Sequence, residues 1–445
     1  MRILHISTRL ILGGSQENTV LSCEGQARMG HEVHLAFGPI YGPEGSLLSR
    51  VEAFNAACAA GRERTPSGVA VRPISTHVVG SLVREINPPK DARARRELRA
   101  LIASLAPDVV HTHSSKAGIL GREAAWAVRP RPGVVHTIHG PPFMPMDGRV
   151  IRRAKVAALN LAYTLAERRA ARRCHVIVSV ADAMTRLFLA KGIGRPEQYV
   201  TVHSGMEVES LLHAAPSEDR DSMRARLGFA PSDVVVGTVA RLAEHKGHDD
   251  LLDSLADDLR SRPNLRLLWV GDGWWRARLV ARARGLGLIV AERDKPELGR
   301  SEGHERGAAT PPGPAHVVIT GLVPPERVPG MLRAMDILAH PSYREGLPRT
   351  VPQALLAGVP PVAYDADGTG EACVDGETGR LVRVGDRAGL RSALLELADD
   401  PLQRRTLAER GRERCREVFS AASMVERLET VYSRAVALAR QRGGK

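Results

Sequence analysis

Short, nearly continuous apolar runs alternate along this chain with stretches of helical period, and the alternation starts twice. The first series falls at residues 3–7, 33–37, 69–74, 108–112, 134–138, 176–180 and 199–202. After a polar segment at 216–221, the second falls at 234–239, 265–270, 317–320, 337–339, 361–363 and 381–384. Strands that are apolar on both faces suit a parallel sheet covered by helices on both sides. Helical periods between them, for example 93–105 and 249–259, complete a strand–helix repeat. The pattern predicts an α/β fold of two doubly wound parallel sheets, with domains at 1–205 and 206–418. Ligands of such sheets bind beyond the carboxyl ends of the strands, so the cleft between two such domains is the expected site. One stretch breaks the rhythm. Residues 291–315 (AERDKPELGRSEGHERGAATPPGPA) are polar and rich in Gly, Pro and charge, where a connection normally takes a few residues. They read as a flexible surface insertion, with His304 a solvated side chain.

A chain of 445 residues at 43% hydrophobic content can bury two cores. No apolar run approaches the ~20 residues of a membrane-spanning helix. The opening MRILHIS reads as a first strand and not as an export signal, which predicts a cytoplasmic protein. Five scattered cysteines, Cys23, Cys58, Cys174, Cys373 and Cys415, lack metal or disulfide spacing and read as reduced thiols. Charge changes the picture more. Residues 1–205 carry 28 Lys and Arg against 15 Asp and Glu, and residues 206–445 carry 35 of each, so the whole excess of +13 lies in the first half. A basic half favours anionic partners: a phospholipid surface, a phosphate-linked substrate or nucleic acid. Nucleic acid fits least, because aromatics make up 4% of the chain, do not interleave the basic segments, and no binding module is recognisable.

The densest candidate chemistry is SYREGLPRTVPQALLAG at 342–358. Glu345 opens a turn with Gly346, Leu347 and Pro348, and a helix through Val351, Ala354, Leu355 and Ala357 stops at Gly358. A turn feeding a helix N-terminus offers backbone N–H groups to an anion, and a carboxylate beside them can grip sugar hydroxyls. The plainer reading is a helix cap with a solvated Glu. Arg241 and Lys246, in VGTVARLAEHKG, lie five residues apart in a loop between strand and helix, where two cations can hold a diphosphate. Gly13 and Gly14, in GGSQEN, permit close backbone approach, with Ser15 as the expected cap of the next helix. Gly271, in VGDG, reads as turn chemistry first and phosphate approach second. In VHTHSSKAG the alternation turns His111 and His113 to one face, with Ser114 and Lys116 close by; two imidazoles lack the further ligands of a zinc site, which leaves hydrogen-bonding roles at a cleft edge. His139, before Gly140 and two prolines, ends a strand and either projects into the cleft or serves the turn.

These segments, taken together and in order with TIHG and TGEACVDGETG, resemble the retaining glycosyltransferases of family 4, and within them most closely the bacterial enzymes that build surface polysaccharides. The resemblance implies the GT-B fold: two Rossmann-like domains facing a cleft, the first binding acceptor and the second the donor nucleotide, with a last helix at 419–440 crossing back to the first. It implies transfer of a hexose-type sugar from a nucleotide diphosphate sugar, with retained anomeric configuration, no cofactor and no metal. Glu345 matches the residue that holds donor sugar hydroxyls, Arg241 and Lys246 the diphosphate pair, Gly14 the loop lining the donor, and His139 the active-site histidine. Leu322 and Val323 lie where the base is cradled. Gln353 departs from the pattern, standing where a second Glu normally binds ribose. Its amide oxygen still accepts a hydroxyl, without charge assistance. The expected acceptor is a glycan or lipid-linked molecule. A sugar synthase with a soluble acceptor is the alternative within the family. A further expectation concerns 149–173, RVIRRAKVAALNLAYTLAERRAARR. Ile151, Ala154, Ala158, Leu159, Ala162, Leu165 and Ala166 fall at helical spacing and predict a stripe packed on the first sheet. The basic ends (Arg152, Arg153, Lys155; Arg168, Arg169, Arg172, Arg173) would face anionic lipid headgroups, as peripheral contact with the inner face of the plasma membrane.

Overall fold

The computed structural model describes residues 1–41, 45–143, 150–293 and 314–443, with backbone alone at 150–153 and 442–443. The chain forms two compact units. One comprises Met1–Met206 with Phe419–Lys445, the other Glu207–Val418.

The first unit is built on seven parallel strands: β1 (Arg2–Ser7), β2 (Glu32–Phe37), β3 (Ser75–Val78), β4 (Val109–His113), β5 (Gly133–Ile138), β6 (Val176–Ser179) and β7 (Tyr199–Thr201), in the order β3-β2-β1-β4-β5-β6-β7. The order reverses between β1 and β4, where His5 stands opposite His111. On one face Ile3, Val109, Val135, Val176 and Val178 pack against Met424, Val425, Leu428, Val431, Tyr432 and Ala435 of the last helix, Ala421–Gly443. That spacing is one stripe of a 3.6-residue helix, and it ties the end of the chain to its beginning. On the other, Leu10, Val33, Leu35 and Phe37 meet Val51 and Phe54 of the helix Leu48–Ala59.

Three local expectations are corrected in this unit. The third strand is Ser75–Val78 and not 69–74. Val71 and Ile74 are buried, but both backbone polar groups of Ile74 bond to the side-chain amide of Asn55 instead of a strand. Ser15 does not cap the following helix: it lies inside Gly14–Arg28, its hydroxyl bonded to Gln16. The helix Val150–Ala171 buries Val156, Thr164, Glu167 and Ala170, while Leu159, Leu161 and Leu165 are exposed at 42%, 60% and 53%. The buried face is set by an ion pair between Glu167 and Arg122, both in the interior, at 2.6 Å. Such a pair holds its helix face inward because separating the charges leaves one uncompensated.

The second unit repeats the plan: β8 (Val234–Val239), β9 (Leu265–Val270), β10 (Val290–Glu292), β11 (Val317–Ile319), β12 (Ile337–His340), β13 (Pro361–Tyr364) and β14 (Arg380–Val382), in the order β10-β11-β9-β8-β12-β13-β14. All pairs are parallel. Trp269, Leu267, Ile337 and Val362 lie at its core with Leu252, Leu255 and Leu394 of flanking helices. The expected insertion begins too early, since Ala291 and Glu292 belong to β10, paired with β11. Residues 294–313, with His304, lie outside the described residues.

Candidate active site

In the second unit the strand order reverses between β8 and β12, so the loops that follow these two strands meet. Gly247 makes the meeting close. It has φ +71°, and a Cβ there would lie 1.9 Å from the carbonyl oxygen of Pro341. The Tyr343 amide donates to the His245 carbonyl at 2.9 Å and stitches the loops together. Lys246 is thereby delivered to Glu345, ammonium to Oε1 at 2.5 Å, and His340 Nε2 approaches the same oxygen at 3.1 Å. The Thr350 hydroxyl lies 3.3 Å from His340 Nδ1, so the ring donates to the carboxylate through Nε2 and accepts through Nδ1. Burial alone would raise the Glu345 pKa; the Lys246 charge and the His340 hydrogen bond prevail and hold the carboxyl well below its usual range. The result is a preorganised carboxylate–ammonium–imidazole cluster at a switch point.

Around it, Asp250 accepts from Tyr364 at 2.8 Å, from Tyr343, and from Arg387 Nε at 2.9 Å. This clamp anchors the loop that carries Glu345. Arg241 lies with its guanidinium 5.2 Å from the ring centroid of Trp274, itself 69% exposed. The expected turn at Gly271 is present for a backbone reason: at φ +140°, a Cβ would stand 2.1 Å from the Ala240 carbonyl oxygen. Leu322 is 48% exposed and Val323 buried. The Gly346 carbonyl accepts from the Gly368 amide at 3.1 Å, and Leu347 and Pro348 are buried behind it. Gln353 lies half-buried on the helix Thr350–Leu356. Pro352 removes one amide from the first turn of that helix, so the turn offers fewer donors than the sequence reading assumed.

The first unit also gathers its expected residues at a switch point, with changed roles. Gly13 is extended and its carbonyl accepts from the Glu17 amide at 2.9 Å, as Gly14 begins the helix. His111 and His113 share a face as expected, but they are interior residues, each 1% exposed, and not cleft-edge groups. Ser114 adopts φ +61°, with its hydroxyl 2.8 Å from that of Thr8. Lys116 is committed to an ion pair with Asp91 at 2.6 Å. His139 is half-buried at the end of β5, its Nε2 3.1 Å from His113 Nδ1. His5, His111 and His113 offer three nitrogens within 4.8 Å of one another, which is close enough for a metal. All six of their ring nitrogens already have protein partners: His5 bonds to His113 and Gln26, His111 to Tyr432 and Thr137, and His113 to His5 and His139. The donor set is a closed hydrogen-bond network.

Sequence reasoning missed His340, Asp250, Trp274 and Gly247. His340 carried the same signal as His139, a histidine ending an apolar strand before a proline-bearing turn. Asp250 looked like one more acidic residue on an exposed helix face, and nothing local distinguishes it.

Two fully parallel, doubly wound units with this charge cluster at a switch point are the architecture of sugar-transferring enzymes of the GT-B type. Residues 13–205 match the family described as "Glycosyl transferase 4-like domain", and residues 233–400 match "Glycosyl transferases group 1". The chain belongs to these GT4-type glycosyltransferases. EpsD of Bacillus subtilis strain 168, named as a glycosyltransferase, is 27% identical over 352 residues, 78% of this chain and 81% of its own length. A D-inositol 3-phosphate glycosyltransferase of Corynebacterium aurimucosum is 27% identical over 335 residues, 74% of this chain and 72% of its own. Among solved structures, Anabaena HepE in complex with UDP-glucose superposes with a TM-score of 0.69 at 20% identity, covering 97% of this chain and 99% of that one.

Proposed function

We propose that this glycosyltransferase moves a hexose-type sugar from a nucleotide diphosphate sugar to a glycan or lipid-linked acceptor, with retention of configuration and without a metal. The observation that carries the reading is the Lys246–Glu345–His340 cluster. An ionised carboxylate held by two donors accepts sugar hydroxyls, and Lys246, with Arg241 in the same loop, supplies positive charge as the diphosphate departs. Charge placed in advance where negative charge develops is electrostatic catalysis. Retention then follows from attack on the same face: the acceptor hydroxyl bonds to the anomeric carbon as the carbon–phosphate oxygen bond breaks, and its proton passes to the leaving phosphate. Glu345 and Gln353 do not form the paired carboxylates of a glycosidase.

The acceptor side is read from the first unit. A cavity of about 300 Å³ is lined by Arg95, Arg96, Arg99, Arg169 and Arg173 together with Glu123. Beside it, Leu161 and Leu165 stand exposed on a helix that also presents Lys155, Arg168 and Arg172. Among the described residues no helix is long and apolar enough to cross a membrane. Apolar side chains amid cations suit the cytoplasmic surface of an anionic membrane, where surface polysaccharides and glycolipids are assembled. A soluble acceptor is the second reading, favoured by the name of the inositol phosphate relative. Incubation with a panel of intact UDP-, GDP- and ADP-sugars, read by mass spectrometry, is expected to show turnover of one of them without added metal and unaffected by a chelator. NMR of the product is expected to show the donor's anomeric configuration. Inversion, or activity only with a divalent ion, overturns the mechanism.

A further inference from the structure

We infer that His5 and His113 are positioning residues that lock His139 into one tautomer, with Nε2–H turned inward and the Nδ1 lone pair offered to a substrate hydroxyl. The inference rests on the reading of His139 as an active-site residue.

The lock originates at an amide. Gln26 reaches Tyr432 with Nε2 at 2.7 Å and His5 Nε2 with Oε1 at 2.7 Å. An amide has distinct donor and acceptor ends, so this orientation gives every later bond a direction. Gln26 Oε1 accepts, so His5 carries its proton on Nε2 and accepts on Nδ1. His113 Nε2, 2.9 Å away, must donate to that nitrogen, which leaves His113 Nδ1 as an acceptor. His139 Nε2, at 3.1 Å from it, must then donate. The other branch is as determinate: Tyr432 receives the Gln26 N–H and donates to His111 Nδ1 at 2.8 Å, and His111 Nε2 donates to the Thr137 hydroxyl at 2.7 Å. Reversal of the Gln26 amide would reverse the whole series, so one side chain in the helix Gly14–Arg28 decides the tautomer three bonds away. The rings must be neutral for the direction to hold. Burial ensures this, pushing His5 down to about 4 and His111 and His113 well below the usual imidazole range. A partner that fixes the tautomer and orientation of an active imidazole typically matters 10- to 100-fold in function, as at metal-bound histidines.

The test is long-range 1H–15N spectroscopy of the full-length protein labelled at histidine. The wild-type spectrum is expected to show His139 protonated at Nε2, and protonation at Nδ1 overturns the inference. His113→Leu removes the acceptor, and His139 is expected to become a tautomer mixture, with kcat falling about 10- to 100-fold for the nucleotide sugar found in the donor panel. His113→Asn restores an acceptor at the δ position and is expected to recover the single tautomer and most of the lost rate. Equal spectra for the two variants overturn the inference. His139→Ala separates the two readings: unchanged transfer there refutes an active-site role for His139, while the tautomer assignment still stands or falls on the spectra.

Discussion

Lys246 and Glu345 are within 2.5 Å of one another and largely withdrawn from solvent, so substitutions at this pair act on both catalysis and stability. Glu345→Ala removes the sugar-binding carboxylate and leaves an ammonium unpaired, whereas Glu345→Gln keeps the shape and loses only the charge. Transfer is expected to vanish in both, with the thermal midpoint lowered more in the alanine variant; normal turnover in Glu345→Gln refutes the assignment. Lys246→Ala and Arg241→Ala are each expected to cost about 2–4 kcal/mol of transition-state stabilisation, or 10²- to 10³-fold in kcat, by analogy with other preorganised electrostatic donors. Wild-type rates in both would remove the diphosphate role. Gln353→Glu places a carboxylate eight residues after Glu345. It is expected to preserve or improve affinity for uridine or guanosine diphosphate in calorimetry, because an ionised acceptor binds hydroxyls more strongly than an amide. Lost binding would mean that Gln353 does something other than hold ribose.

At the scale of elements, the last helix is held to the first sheet by a stripe that includes Leu428, Val431 and Tyr432. Leu428→Ala is expected to destabilise the first unit by about 2–5 kcal/mol, the usual cost of emptying a core leucine site, measured by chemical denaturation. Buried imidazoles between β1, β4 and this helix add a pH dependence. The usual value near 6.5 for His5 is pushed down to about 4 by burial, against a hydrogen bond to Gln26. Between those values the unfolded chain binds a proton and the folded chain does not, so stability is fully present above 6.5 and is lost as the pH falls toward 4. Denaturation midpoints should fall steeply over that window, and less so in His5→Phe; an equal slope would place the acid sensitivity elsewhere. Most strands were legible because both faces of a parallel strand must be apolar. The exception is informative: β3 is an edge strand made of Ser75, Thr76, His77 and Val78, nearly all exposed, while the more apolar Val71 and Ile74 anchor a loop. Glu345, Lys246 and His139 were legible because each ends or follows a strand at a glycine-bearing turn. The Gln26–His5–Tyr432 network was not, because its members come from three distant segments and no local pattern announces that they meet.

The whole molecule joins an electrically balanced second half to a first half that holds the entire charge excess. Amphipathic periodicity placed the leucines of the helix Val150–Ala171 inward; the buried Arg122–Glu167 pair turns the helix the other way, which hydrophobicity alone cannot register. Exposed Leu161 and Leu165 beside Arg168, Arg169 and Arg172 form a surface with both ingredients of interfacial binding: apolar area to bury and charge to attract anionic headgroups. Each cation near such a surface contributes about 1 kcal/mol, so removing four should weaken binding by orders of magnitude. Vesicles of phosphatidylglycerol and phosphatidylcholine are expected to sediment the protein increasingly as the anionic fraction rises, and decreasingly as salt shortens the range of attraction. Neutralising Arg168, Arg169, Arg172 and Arg173 should abolish the dependence on anionic lipid. Leu161→Gln with Leu165→Gln should weaken binding at every salt concentration, because the apolar contribution is not screened. Circular dichroism should show both variants folded. Equal sedimentation with neutral and anionic vesicles would refute the membrane role and leave a soluble, phosphate-bearing acceptor as the use for the basic half.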